Sequence, residues 1–197
     1  MKITERILGG LIVILMIGRL LYSYPFSAIL ITFSCLFLSM LYLFFGFALL
    51  NNIRFRNILK KESYKGISVL RIILTIMTGF LLSFLVVYML FKFQRWPYGN
   101  IGLQICLIWL AIIIAAVAIK YFISKDKFYS NFLIRLFTIG VYGTLLYFVS
   151  SEQLLEMKYK DFPDYIEAEK ELMKDPDNMY LREKANEERH KMDLSDE

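Results

Sequence analysis

The sequence predicts an all-α integral membrane protein of about five transmembrane helices with a short extramembrane helical tail. Three observations predict it. Of the 197 residues, 57% are hydrophobic and 16% aromatic, above the apolar share of about 45–50% usual in soluble domains. Five apolar stretches approach the roughly 20 residues needed to cross a hydrocarbon core about 30 Å thick. The charges also divide by region: residues 1–150 hold 15 Lys and Arg against Glu5, Glu62 and Asp126, a balance of +12, whereas residues 151–197 hold 8 basic and 15 acidic residues, a balance of −7.

The spans are expected at residues 7–24, 26–50, 67–91, 101–122 and 132–150, which makes 1–150 a transmembrane helical domain and 151–197 a charged, helical C-terminal tail. In the first, Lys2 and Arg6 precede an apolar run as in a secretory signal. Gly18-Arg19-Leu20 then stands where a small-x-small cleavage site would be needed, so the segment reads as a retained helix. The second span carries no charge. Arg19, Arg71 and Arg135 lie toward the ends of their spans, where long cationic side chains reach the headgroups. Cys35 and Cys106 each sit within an apolar run and read as small buried residues. Gly46, Gly79 and the small-x-x-small pair Gly140 and Gly143 permit helices to approach closely.

Short loops rich in Lys and Arg stay cytoplasmic. Residues 51–66 contain Arg54, Arg56, Lys60, Lys61 and Lys65 against Glu62, and the end of the fourth span and the turn after it hold Lys120, Lys125 and Lys127 against Asp126. With both loops inside, five crossings put the N-terminus in the cytoplasm and the acidic tail outside. The two outer turns resemble each other: Ser23-Tyr24-Pro25-Phe26 and Arg95-Trp96-Pro97-Tyr98 each place an aromatic on both sides of proline. Proline disfavours helix at the residue before it, and aromatics suit the headgroup region. The membrane part therefore reads as two similar hairpins plus one helix. The turn and interface candidates are Tyr24, Pro25, Lys92, Arg95, Trp96 and Pro97.

In the tail, Leu154, Leu155, Met157 and Tyr159 suggest that the fifth helix continues until Pro163 interrupts it. A short amphipathic helix is expected over 164–174, then a stop at Asp175-Pro176-Asp177, with proline early in a second helix over about 178–191. Pairs Lys184–Glu188 and Glu187–Lys191 have the four-residue spacing of helical ion pairs. So few large apolar groups seldom fold alone, so the tail is expected to lean on another surface.

No catalytic signature stands out. None of the five segments contains Asp or Glu, and the single histidine, His190, lies in the tail among Glu187, Glu188 and Lys191. There is no His-Glu-x-x-His, Gly-x-Ser-x-Gly or phosphate-cradling glycine loop. The expectation is a protein that is not an enzyme, with no catalytic, cofactor or metal site. Nor does a nucleic-acid motif accompany the basic residues. The span hydroxyls are read as helix-packing groups, and Thr78, Ser83 and Gln104 are the candidates for a polar path.

Phe91-Lys92-Phe93-Gln94-Arg95-Trp96-Pro97, with Tyr98 and Gly99 after it, resembles the turn between the two transmembrane helices of GldL-type gliding-motility and type IX secretion proteins. The resemblance covers about residues 80–118. It implies a bacterial inner-membrane location, with Trp96 and Pro97 forming the turn and Lys92 and Arg95 as interfacial cations. Those motor subunits have two spans, a long cytoplasmic region and an intramembrane glutamate, so motor activity is not implied. The functional expectation is a non-catalytic accessory or scaffold subunit of a membrane complex. Its partners would be the lipid bilayer and, through the tail, another membrane or periplasmic protein or a second copy. The alternative is a small transporter or channel built on a parallel hairpin repeat.

Overall fold

The computed structural model describes residues 2–195 except Ser23 and Pro25, and side chains within that range except those of Lys2, Asp193 and Ser195. Its elements are α1 (Lys2–Leu21), α2 (Ser27–Leu50), α3 (Val69–Gln94), α4 (Gly99–Ser124), α5 (Lys127–Phe148), α6 (Ser151–Lys158), α7 (Pro163–Lys174) and α8 (Met179–Ser195), with two 3-10 turns in the loop after α2. The described residues contain no strand. Four helices, α2 to α5, are long and apolar enough to cross a membrane. The chain is an all-helical protein of multi-pass membrane type.

α1 does not meet the same standard. Its 20 residues match a bilayer in length, but it carries Glu5, Arg6 and Arg19. It also begins five residues earlier than the expected span, which places Glu5 within the helix although outside the apolar segment 7–24.

The chain divides into two compact units. The first is Met1–Met16 with Phe26–Phe148. Here α2 packs most extensively on α3, and α3 on α4, α4 on α5. The α2–α3 crossing is set by glycine: a Cβ on Gly46 would lie 2.6 Å from the Gly79 Cα, and one on Gly79 would lie 2.9 Å from the Tyr42 carbonyl oxygen. Removing both side chains lets the backbones touch, which in lipid supplies the packing that water would otherwise drive. Beside this crossing the Ser39 and Ser83 hydroxyls share a buried 2.8 Å hydrogen bond. Gly140 and Gly143 face Leu110 and Leu107 of α4. Outward, α2 presents Phe33, Phe37 and Phe44, α3 Met77 and Phe84, and α4 Ile108 and Trp109. A bundle with large apolar side chains outside and serines and glycines inside is arranged for lipid.

Helix ends show how the turns are made. α2 stops in a Schellman motif: Asn52 takes a left-handed φ of 61°, its N–H bonds the Leu49 carbonyl, and the Ile53 N–H bonds that of Ala48. α3 ends the same way. The Arg95 N–H bonds the Lys92 carbonyl and the Trp96 N–H that of Phe91, with Arg95 at φ 61° where glycine is usual. The Trp96 and Phe91 rings, 5.0 Å apart, make the apolar contact that accompanies this motif. The residues after the two turn prolines behave alike: Phe26 at φ 57° and Tyr98 at φ 61° are the left-handed N-caps of α2 and α4.

The second unit is Ile17–Pro25 with Val149–Glu197. α6 is a separate helix and not a continuation of α5, because Ser150 and Gln153 form a reciprocal capping box. α7 opens with Pro163 at its first turn. α8 starts later than expected. Asn178 accepts from the Tyr180 and Leu181 N–H groups and is the cap, leaving Pro176 in the preceding turn. α7 packs on α8, with Tyr165, Ala168 and Ala185 buried. The ion pairs form differently from the sequence expectation: Lys184 reaches Glu171 of α7 at 2.6 Å, and Lys191 pairs with Glu188 at 2.5 Å. Lys170 pairs with Glu156 of α6. The tail also has its own support in this unit, since Lys160 donates to the Leu21 carbonyl at 2.8 Å and the Arg19 guanidinium lies 5.5 Å from the Tyr159 ring centre.

Candidate functional site

The densest polar constellation of the first unit gathers around the C-terminal end of α2. The last carbonyls of a helix have no partner within it, and here side chains supply part of what is missing. Asn51 Nδ2 donates to the Phe47 carbonyl at 2.8 Å, and Arg135 of α5 donates to the Leu49 carbonyl at 3.0 Å. A guanidinium in this position also complements the negative end of the helix dipole.

Arg135 extends the arrangement to α1. Its second terminal nitrogen lies 3.4 Å from Glu5 Oε2, and Glu5 Oε1 accepts from the Tyr42 hydroxyl at 2.8 Å. The side chains of Glu5 and Arg135 are 12% and 20% exposed, so the charges meet largely away from solvent. α1 brings Glu5 inward because Leu8, Gly9, Ile12 and Val13 follow it at helical spacing on the same side. Ile12 is the one buried apolar side chain among the described residues of α1.

Arg71, in the first turn of α3, completes a second arm. Its Nε donates to Asn51 Oδ1 at 2.8 Å, its guanidinium carbon stands 3.3 Å from the centre of the Phe128 ring, and Asp126 lies 4.0 Å away. Asn51 Nδ2 also reaches Thr75 Oγ1 at 2.8 Å. Asp126 accepts from the Phe128 N–H at 2.9 Å and so caps α5. Arg71 and Arg135, expected as headgroup anchors, tie α1, α2, α3 and α5 together at one end of the unit. No family model, curated protein or solved structure matches this chain.

The turn candidates lie elsewhere. Lys92 is buried and donates to Asn100 Oδ1 at 2.7 Å. Arg95 caps α3, Trp96 is 44% exposed, and the Trp96 carbonyl accepts from the Gly99 N–H across Pro97. Gly99 is required there, since a Cβ would fall 2.6 Å from the Lys92 nitrogen. Tyr24 is half-buried, and Pro25 lies outside the described residues. The three polar-path candidates do not share a surface. Thr78 is buried and bonded to the Leu74 carbonyl, Ser83 is bonded to Ser39, and Gln104 is exposed on α4.

Glu5, Tyr42, Asn51 and Arg135 were not singled out together by sequence reasoning. The available signal was a rule of necessity. A lone arginine inside an apolar span needs a partner, and residues 1–150 offer only Glu5, Glu62 and Asp126. Chemically, the cluster neutralises and positions its own members. Among the described residues no three His, Cys, Asp or Glu side chains converge as a metal site.

In the second unit, burial pushes the Tyr165 phenol well above its usual range, and the adjacent Glu169 carboxylate, which accepts its hydroxyl, adds to the effect. The Glu171 carboxylate, through its hydrogen bond, raises Lys184.

Proposed function

We propose that this chain is a non-catalytic accessory or scaffold subunit of a bacterial inner-membrane complex, crossing the membrane five times with its N-terminus cytoplasmic and its tail outside. One observation carries the reading: among the described residues, the buried polar side-chain atoms of the helical unit all have hydrogen-bond partners, most of them in one another or in helix carbonyls. Ser39 meets Ser83, Asn51 meets Thr75 and Arg71, and Arg135 meets Glu5 and Leu49. Groups used in this way hold helices in register and do not line a route.

A fifth crossing by α1 is supported by its length of 20 residues, about 30 Å at 1.5 Å per residue. It is supported too by the pairing of Glu5, which reduces the cost of a charge at that depth. The tail supports a contact role through α8, a strongly charged helix with Met179 and Tyr180 81% and 73% exposed.

The test is native mass spectrometry of the tagged full chain purified in mild detergent. A defined heteromeric mass that is lost when residues 152–197 are deleted, with membrane insertion retained, is the expected outcome. A monomer or homo-oligomer whose stoichiometry is unchanged on deletion overturns the subunit reading and favours the transport alternative, to be followed by flux measurements in proteoliposomes.

A further inference from the structure

The loop between α2 and α3 is more structured and more apolar than a connection in water requires. Two 3-10 turns, Phe55–Asn57 and Lys61–Tyr64, compact it, and the Tyr64 hydroxyl braces it by donating to the Ile58 carbonyl at 2.6 Å. Phe55 packs edge-on against Phe45 of α2, with ring centres 5.2 Å apart. Phe45 precedes the end of α2 by five residues, about 7.5 Å of helix. The loop therefore folds back along the apolar flank of the helix it has just left. Even so, Phe55 remains 64% exposed and Leu59 97% exposed.

Around these side chains in the sequence stand Arg54, Arg56, Lys60, Lys61 and Lys65, all exposed. None of the five makes an ion pair or side-chain hydrogen bond among the described residues. The two acids of residues 1–150 outside the loop are committed elsewhere: Glu5 to Arg135 and Tyr42, and Asp126 to Arg71 and the Phe128 N–H. Glu62 is the single acid within the loop. Bare cations beside outward aromatic and aliphatic side chains are the arrangement of an interfacial element, whose apolar face sinks about 5–10 Å into the headgroup and acyl boundary. The complementary surface is negative above and hydrocarbon below.

We propose that residues 54–65 form a cradle for anionic phospholipid headgroups, with Phe55 and Leu59 seated among acyl chains and Arg54, Arg56, Lys60 and Lys61 set on phosphates. The occupant is the lipid and not a soluble anion, because Phe55 is pinned to the apolar flank of α2.

The experiment reconstitutes the full chain in nanodiscs of equimolar phosphatidylcholine and phosphatidylglycerol and counts the lipids retained in native mass spectrometry. Phosphatidylglycerol should be enriched, and the enrichment should fall as salt rises. Replacing one loop cation by Gln should reduce it about fivefold, from roughly 1 kcal/mol per basic residue near an anionic surface. Because removing positive charge can disturb insertion, Phe55→Ser/Leu59→Ser, which keeps every cation, is measured in parallel and should also lower the enrichment. Inorganic phosphate at the same anion concentration should not compete. Equal retention of the two lipids overturns the proposal, as does enrichment unchanged in both variants or abolished by inorganic phosphate. A protein partner lost from the Gln variant while lipid enrichment persists overturns it as well.

Discussion

The Glu5–Arg135 pair should be the point at which α1 is fastened to the rest of its unit, and a double-mutant cycle measures it. At 3.4 Å and an effective dielectric of about 20, the direct attraction is about 5 kcal/mol. Desolvation of both ions takes back much of this, and partial exposure screens part of the rest, leaving a coupling of about 2 kcal/mol. Glu5→Gln keeps an acceptor for the Tyr42 hydroxyl and should cost about 2 kcal/mol. Arg135→Leu also removes the bond to the Leu49 carbonyl and leaves Glu5 charged beside Tyr42, so about 3–4 kcal/mol is expected. The double variant should be little worse than Arg135→Leu alone, because no charge is then left unpaired. Cys35 and Cys106 supply the assay. Both thiols are free and buried, 1% and 5% exposed, so a thiol-reactive dye added during detergent thermal unfolding reports loss of the helical unit. Losses that add within about 0.5 kcal/mol would refute the reasoning, since the two side chains would then not sense each other.

Four further outcomes follow from the backbone and from the tail. Gly46→Ala should destabilise the helical unit by about 2–4 kcal/mol in the same dye assay, since its Cβ would stand 2.6 Å from the Gly79 backbone. Gly9→Ala, with nothing within 4 Å of the new Cβ, should be neutral or gain up to about 1 kcal/mol from helix propensity; a loss there would mean that α1 packs more closely at Gly9. Arg95→Gly should raise thermal stability by about 0.5–1 kcal/mol, because φ 61° suits glycine at this Schellman position; a lower midpoint would show that the Arg95 side chain outweighs the backbone term. Tyr165 has its phenol raised by burial, then by Glu169. For a group whose folded value lies above its unfolded value of 10.0, the stabilisation is complete below about pH 10 and lost as pH climbs toward the folded value. The alkaline fall in helix content followed by circular dichroism should therefore be shallower in Tyr165→Phe; identical curves would remove Tyr165 as a source of it.

Local chemistry was legible where it involves few residues. The apolar runs of α2 to α5 report their own solvent, because an uncharged stretch such as residues 26–50 has no other stable setting. Its observed bounds, Ser27–Leu50, differ by one residue at the start. The break at Pro163, one residue from the expected start of the following helix, and the aromatics at Trp96 and Tyr98 were equally local. Caps were harder. Ser150 with Gln153, and Asn178, each compete with a neighbouring reading, and the choice depends on which backbone N–H is free when the chain packs.

What the amino-acid sequence determined by itself was therefore the solvent of each segment and the positions of most turns, since both follow from side-chain transfer energies and from the dihedral restrictions of proline. Only the tertiary structure decided which charges were satisfied and how. Arg71 and Arg135 look alike in sequence, single cations near the start of apolar spans. One stacks on Phe128 and holds Asn51; the other joins Glu5, 130 residues earlier in the chain, to the carbonyl end of α2. The same holds for Gly46 and Gly79, whose meaning lies in each other's backbone. Coulomb and contact energies depend on distance in space, and sequence separation does not supply that distance until the helices have packed.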